Sequence, residues 1–265
     1  MGSEKSIVIG GGVGPMAGVA LHAKIVENTL TDGSDQSHLS VYHYSRSADV
    51  PDRTAYLLAL ARGEAPTADP AAGMAAVFED AARALGGRPA VGGVPCNTFH
   101  APAIFDRFAA EAGARAPGIR IVHMLEETVR LLEARLPRAV RGVNVGVLST
   151  TGTRLSGVYT DLLARAGCEA VYVSEDSQEL LHGAIYDREW GIKAASPVTA
   201  RAAETVSAMA AELVRAGAEA VILACTELPL ALGGTEFLGA PLVDPVLALA
   251  RALIREAAPG KLRPL

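Results

Sequence analysis

The segment AVGGVPCNTFH, residues 90–100, joins an apolar run to a cysteine that is followed by polar side chains. A short run of small and β-branched apolar residues is typical of a strand buried in a parallel sheet. The segment AVILACTELPL, residues 220–230, has the same order, with Cys225 in the position of Cys96. Two such segments predict two equivalent strands, each of which runs directly into a cysteine.

The rest of the chain alternates between runs rich in Val, Ile and Leu and longer Ala-rich segments. This alternation predicts an α/β fold class, in which parallel sheets are flanked by helices. Strands are expected at residues 6–9, 90–94, 143–148, 170–173 and 220–223. Good helix formers predict helices at residues 70–85, 124–136, 159–166, 197–216 and 245–257. Gly217 is expected to end the fourth of these helices.

The two halves of the sequence look duplicated. Each half opens with a strand that runs into a glycine-bearing turn, SIVIGGGVGPMAG or NVGVLSTTGTRLSG, and closes with a strand that runs into a cysteine. We therefore predict two pseudo-symmetric α/β lobes, residues 1–118 and 119–232, with residues 233–265 returning a helix to the first lobe. Because parallel sheets bind ligands at the carboxyl ends of their strands, the active site is expected in the cleft between the lobes.

The composition argues against two classes of partner, nucleic acids and membranes. The formal net charge is -5 and no long cluster of Lys and Arg occurs, which argues against a nucleic-acid partner. No apolar run approaches the roughly 20 residues that a membrane helix needs, and the beginning of the sequence lacks the pattern of a signal peptide. We therefore expect no membrane partner, a cytoplasmic location and a small-molecule ligand.

The three cysteines do not suggest a disulfide framework. Cys96 and Cys225 each fall at a strand-to-helix turn, where backbone N–H groups and the positive end of a helix favour a thiolate. Cys168 is expected to be a buried structural residue. Neither turn cysteine has a Cys or His partner at a short spacing, apart from His100, so no metal site is predicted.

Several neighbours of the cysteines have two interpretations. His100 either tunes the Cys96 thiol or is a structural histidine, and Glu227 either orients Cys225 or caps a helix. The loop at residues 12–17 matches a dinucleotide-binding pattern, but Pro15 lacks the N–H that a phosphate would need. We favour a loop that forms one wall of the substrate cleft, with Met16 lining it.

Five motifs resemble, in order along the chain, those of the aspartate/glutamate racemase superfamily, and within it the aspartate racemase branch. They are GGVGPMA (11–17), PDRT (51–54), PCNTFH (95–100), GIK (191–193) and LACTELP (223–229). The resemblance implies a racemase that uses no pyridoxal phosphate or other cofactor, and commonly a homodimer. It also implies that Cys96 and Cys225 exchange protons with the two faces of one α-carbon, one as base and the other as acid.

The resemblance further implies how an acidic amino acid would be bound. Arg53 and Lys193 match two cations near the distal carboxylate. The positions that match donors around the α-carboxylate are Asn97, Thr98, Thr150 and Thr226. We expect aspartate or glutamate as substrate, although residues 45–50 depart from the pattern of the aspartate branch. Hydantoin racemisation, maleate isomerisation, a decarboxylase (which needs only one cysteine) and a non-catalytic binding module are the alternatives.

Overall fold

The structure, a computed structural model, describes residues 4–265 and divides them into two compact units. The first unit comprises the described residues up to Met124 together with Val246–Leu265, and the second comprises Leu125–Pro245. The first three residues of the predicted 1–118 lobe lie outside the described residues. The observed divisions fall at residues 124 and 245, whereas the sequence analysis placed them at 118 and 232.

The first unit contains a four-stranded parallel sheet in the order β2-β1-β3-β4. Its strands are β1 (Ser6–Gly11), β2 (Val41–Ser45), β3 (Ala90–Gly93) and β4 (Ile119–Ile121). Its helices are α1 (Pro15–Asn28), α2 (Arg53–Ala61), α3 (Pro70–Leu85) and α4 (Pro102–Arg115). Helices α1 and α3 both pack on β1 and β2, and α4 packs on α3. The sequence analysis did not predict the edge strands β2 and β4.

The second unit contains a five-stranded sheet in the order β6-β5-β7-β9-β8, parallel except for the β8–β9 pair. Its strands are β5 (Asn144–Ser149), β6 (Glu169–Val171), β7 (Ala220–Ala224), β8 (Glu236–Phe237) and β9 (Ala240–Val243). Its helices are α5 (Met124–Arg135), α6 (Thr151–Leu155), α7 (Val158–Arg165), α8 (Glu175–Tyr186), α9 (Ala200–Arg215) and α10 (Leu228–Ala231). The last helix, α11 (Pro245–Ala257), lies almost wholly in the first unit.

The two sheets share one strand order, which confirms the predicted α/β duplication. The order β2-β1-β3-β4 corresponds strand for strand to β6-β5-β7-β9. In each unit the opening strand is flanked by the second strand on one side and by the third on the other. Cys96 follows β3 and Cys225 follows β7, so the two cysteines occupy equivalent places in their own sheets.

Local sequence signals account for the best-predicted helices. Helix α3 has the predicted bounds because Asp69 accepts a hydrogen bond from the backbone of Ala71, and Gly86 ends the helix in a left-handed conformation. Helix α9 begins at Ala200, not at residue 197 as predicted, because the Thr199 side chain caps it. Within residues 4–265, no helix has both the length and the apolar character needed to cross a membrane.

Buried aromatic rings fix the segment after β3 to the core of the first unit. Phe99 lies edge-on to Phe108, with ring centroids 5.2 Å apart, and Phe108 lies edge-on to Phe78 at the same distance. All three rings are fully buried. Because Phe99 is three residues from Cys96, this packing restrains the turn that carries the cysteine.

Gly73 of α3 provides a test of how the segment before Arg53 is held. A Cβ atom at Gly73 would lie 2.2 Å from the carbonyl oxygen of Asp49, whereas one at Gly113 of α4 would meet no atom within 4 Å. We expect Gly73→Ala to lower the free energy of unfolding by about 1–3 kcal/mol, since the backbone must shift. The matched control Gly113→Ala should raise it by about 0.5–1 kcal/mol, the usual gain of helix propensity. Urea unfolding measures both, and equal effects would contradict the packing.

Candidate active site

The Cys96 turn forms at the carboxyl end of β3. The backbone N–H of Cys96 donates to the carbonyl of Val94 at 2.9 Å, and a short 3-10 turn, Thr98–His100, follows. The Cys96 side chain is only 7% exposed, and Asn97 and Thr98 are buried beside it. The turn therefore gathers a thiol, an amide and a hydroxyl at one strand end.

His100 holds this turn through its backbone. Its Nδ1 lies 2.8 Å from the carbonyl oxygen of Cys96, and the N–H of Met124 donates to Nε2 at 3.2 Å. The ring also stacks on Phe105 and lies edge-on to His123. Burial and the neighbouring His123 lower the pKa of His100 to about 3. His100 is thus a neutral, structural histidine with its proton on Nδ1, and it contacts the carbonyl of Cys96 and not the thiol.

Arg53 and Met16 each begin a helix of the first unit. Arg53 is the first residue of α2, is half-buried, and donates from Nη1 to the carbonyl of Pro51 at 3.1 Å. Met16 lies in the first turn of α1, just after the β1 loop, and is 46% exposed. Gly12 in that loop has φ 89° and packs against the backbone of Arg46. Close packing therefore explains this glycine without a bound nucleotide.

In the second unit, Cys225 lies at one end of a row of side chains that are hydrogen-bonded to one another. Its Sγ donates to Oε2 of Glu227 at 3.2 Å, and the Thr226 hydroxyl donates to the same oxygen at 3.0 Å. The other carboxylate oxygen, Oε1, accepts a hydrogen bond from Nζ of Lys193. Glu227 precedes α10, but its side chain makes no capping hydrogen bond. Of the two interpretations of Glu227, orientation of Cys225 is therefore the one that matches the geometry.

Burial and neighbouring charges both shift the pKa values of Glu227, Lys193 and Cys225. Burial would raise the pKa of Glu227, but the Lys193 ammonium and the hydrogen bonds from Lys193, Cys225 and Thr226 hold it below its usual value. Burial would lower the pKa of Lys193, but the Cys225 sulfur, when it is ionised, and the Glu227 carboxylate raise it. Burial and the Glu227 carboxylate raise the pKa of Cys225 well above its usual value, and Lys193 only partly offsets this. At neutral pH, Lys193 is therefore an ammonium, Glu227 a carboxylate and Cys225 a thiol.

Thr150 lies at the carboxyl end of β5, the strand next to β7. It caps α6: the N–H of Thr153 donates to its Oγ1 at 3.2 Å, and its hydroxyl contacts the Thr153 hydroxyl at 3.1 Å. Ser149, which pairs with Ala224 in the sheet register, is fully buried, and its Oγ has no hydrogen-bond partner among the described residues. The sequence analysis overlooked Ser149, although the hydroxyl-rich run that begins at the last residue of β5 was a visible signal.

The structure thus groups the predicted residues by unit. Cys96, Asn97, Thr98 and His100 share one turn of the first unit, whereas Arg53 and Met16 lie at the starts of separate helices. In the second unit, Lys193 joins the Cys225 turn through Glu227, a contact that the sequence analysis did not anticipate. Within the described part of the chain, no group of three or more His, Cys, Asp or Glu side chains is placed to hold a metal ion.

The neutral state of His100 has a measurable consequence for stability. The unfolded chain binds a proton at the ordinary histidine pKa of about 6.5, whereas folded His100 binds one only near pH 3. Acidification below about pH 6.5 therefore favours unfolding. Between about pH 7.5 and about pH 5, we expect wild type to lose about 2 kcal/mol more unfolding free energy than His100→Asn, which cannot titrate.

Denaturant unfolding of both proteins over this pH range measures the difference. The Asn variant keeps a donor near Cys96 and should be less stable at neutral pH, because it leaves space beside Phe105. Parallel pH profiles for the two proteins would show that His100 is not buried in the neutral form.

Comparisons with known proteins identify the family of this fold. Residues 11–253 match the Asp/Glu/Hydantoin racemase family. Picrophilus torridus aspartate racemase is 25% identical, with a TM-score of 0.72 over 99% of this chain and 96% of that one. An aspartate racemase homologue from Pyrococcus horikoshii is 22% identical (TM-score 0.66, 96% and 99% covered). Francisella tularensis glutamate racemase, solved with D-glutamate, is 15% identical (TM-score 0.60, 98% and 84% covered). The chain therefore belongs to the Asp/Glu/hydantoin racemase family and is a racemase, an enzyme of the isomerase class.

Proposed function

We propose that this enzyme racemises an acidic amino acid, aspartate or glutamate, by proton transfer to and from two thiols, without pyridoxal phosphate. The observation that carries the proposal is the equivalence of Cys96 and Cys225, each buried at the end of the third strand of its sheet. The family match and the likeness to an aspartate racemase support it. Racemisation needs such a pair, because a proton must leave one face of the α-carbon and another must reach the opposite face.

The proton transfers balance within the two thiols. A thiolate sulfur takes the α-proton, the C–H bond breaks, and its electron pair delocalises into the α-carboxylate of a planar carbanion. The other thiol then donates its proton to the opposite face of the same carbon, and its S–H electron pair remains on sulfur. The two cysteines have exchanged protonation states after one turnover, so either enantiomer can be the substrate.

The carbanion requires hydrogen-bond donors around its carboxylate. We assign this role to Asn97 and Thr98, which are buried beside Cys96. Thr150 and Thr226 are the other two expected donors, and their hydroxyls contact Thr153 and Glu227 respectively. The Thr226 hydroxyl donates its proton to Glu227, so the Thr226 oxygen can only accept a further hydrogen bond. It therefore suits the ammonium group of the substrate better than the α-carboxylate.

For the distal carboxylate we propose Arg53 as the principal partner, since a guanidinium can bind a carboxylate through two parallel hydrogen bonds. Lys193 is the second cation of this proposal. Its ammonium is ion-paired with Glu227. The homodimer and the cytoplasmic location stay predictions.

The two-thiol mechanism predicts solvent exchange at the α-carbon. Pure protein incubated in D₂O with single enantiomers of aspartate or glutamate should lose optical rotation and gain α-deuterium. Cys96→Ser and Cys225→Ser should each lower kcat/KM at least about 100-fold, since each removes an acid/base group. Cys168→Ser is the control, because the Cys168 thiol donates to the carbonyl of Val140 and takes no part in the proposed chemistry.

Full racemisation in both single variants would overturn the two-thiol mechanism. If wild type exchanges no α-proton of either amino acid, the proposed substrate class is wrong. Binding without exchange would then indicate a non-catalytic module, and exchange with a hydantoin would indicate the related chemistry.

Substrate choice is tested at Arg53. Arg53→Met should raise KM for aspartate and glutamate at least about tenfold, because a charge-assisted hydrogen bond contributes about 1.5–3 kcal/mol. Arg62→Met, one residue after α2 ends, is the matched control, since that exposed side chain is ion-paired with Glu64. Steady-state kinetics with both amino acids measure the effect. An unchanged KM in Arg53→Met would exclude Arg53 as the partner of the distal carboxylate.

A further inference from the structure

We propose that Glu227, held ionised by Lys193, is a positioning residue that keeps Cys225 in its thiol form, so that Cys225 is the proton donor and Cys96 the base of the resting enzyme. This inference rests on the proposed two-thiol function and deepens it. It gives the two cysteines different resting states, although the strands that carry them are equivalent.

Hydrogen-bond geometry fixes the proton on Cys225. An ionised carboxylate only accepts hydrogen bonds. Oε1 of Glu227 accepts from Lys193, and Oε2 accepts from both Thr226 and the Cys225 sulfur. The sulfur, 3.2 Å from Oε2, must therefore carry a proton for this contact to be favourable. Glu227 is 3% and Cys225 6% exposed, so water competes little for these contacts.

Cys96 has a different environment. Within the described residues, no side chain forms a hydrogen bond with the Cys96 sulfur, and the His100 ring bonds the backbone carbonyl of Cys96. His100 is neutral, so it adds no charge beside the thiol. Among the described residues, no carboxylate is hydrogen-bonded to the Cys96 sulfur as Glu227 is to the Cys225 sulfur.

The other groups on the Cys225 side reinforce this assignment. The charges that face the thiol are Glu227 and Lys193, and burial together with Glu227 raises the pKa of Cys225. From α8, the Tyr186 ring lies 5.5 Å from Nζ of Lys193, and His182, whose pKa is lowered by burial, stacks on Tyr186. The end of β5 adds the uncharged hydroxyls of Ser149 and Thr150.

Lys193 then has a second task during turnover. When Cys225 has given up its proton, a thiolate lies next to the Glu227 carboxylate, and two anions at this separation repel each other. The Lys193 ammonium, bound to the same carboxylate, reduces this repulsion. The ion pair therefore favours the thiol at rest and still allows the thiolate to form transiently.

Thiol alkylation tests the proposal without substrate. In wild type, limiting iodoacetamide followed by peptide mass spectrometry should modify Cys96 at least about tenfold faster than Cys225 near neutral pH. The two side chains are almost equally exposed, at 7% and 6%, so access is matched in the free chain. Faster alkylation of Cys225 would overturn the proposal, and this arm needs no substitution at Glu227.

The second arm measures how the alkylation rate of Cys225 depends on pH in a Cys96→Ser, Cys168→Ser background. Adding Glu227→Gln removes the anion beside the thiol. The midpoint of the pH profile of Cys225 alkylation should therefore fall by about one pH unit or more, and at pH values below the midpoint Cys225 should be alkylated about tenfold faster. Glu189→Gln, an exposed change in the same loop as Lys193, is the control and should leave the profile unchanged. An unchanged profile in Glu227→Gln would reduce Glu227 to a packing residue.

These outcomes are separable from those of the proposed function. If wild type racemises through both cysteines but Glu227→Gln does not move the Cys225 profile, only the positioning role fails. If the profile moves and no racemisation is found, the positioning role stands and the proposed reaction fails.

Discussion

Parallel pairing of strands is the constraint on which both cysteine turns depend. In a parallel sheet the carboxyl ends of all strands meet at one edge, so whatever follows each strand collects there. The shared order β2-β1-β3-β4 and β6-β5-β7-β9 puts a cysteine after the same strand in each unit. It also puts the polar turns after β1 and β5 next to those cysteines. The fold thus supplies two equivalent thiols before any side-chain detail is considered.

Side-chain detail then makes the two thiols unequal. The Cys96 turn is held by a neutral imidazole between two backbone groups, which needs no buried charge. The Cys225 turn is held by Glu227 and Lys193, and burying the Glu227 carboxylate costs desolvation energy that a neutral packing arrangement would avoid. Stability alone is therefore a poor explanation for Lys193 and Glu227. The proposed control of the Cys225 proton would account for both residues with the contacts observed.

The sequence predicted best what local signals determine. Helix α3 follows from Asp69, Pro70 and Gly86, and the cysteines follow from apolar strands that end in polar residues. The start of α9 was misplaced because Thr199, inside the predicted helix, competes as a cap. The pairing of Lys193 with Glu227 was beyond prediction, because the residues are 34 positions apart and only tertiary packing brings them together. The role of His100 was left open because its second partner, the N–H of Met124, is 24 positions away and also depends on tertiary packing.

An unequal pair of thiols is compatible with a reaction whose two directions are equivalent. Enantiomers of an amino acid have equal free energies in water, so kcat/KM must be the same in both directions at every pH. Glu227 can therefore not make the enzyme prefer one enantiomer at equilibrium. It can only change how the resting enzyme is divided between its two protonation forms. The asymmetry at Cys225 must appear in the chemistry of the thiols themselves, and the ratio of the two kcat/KM values cannot reveal it.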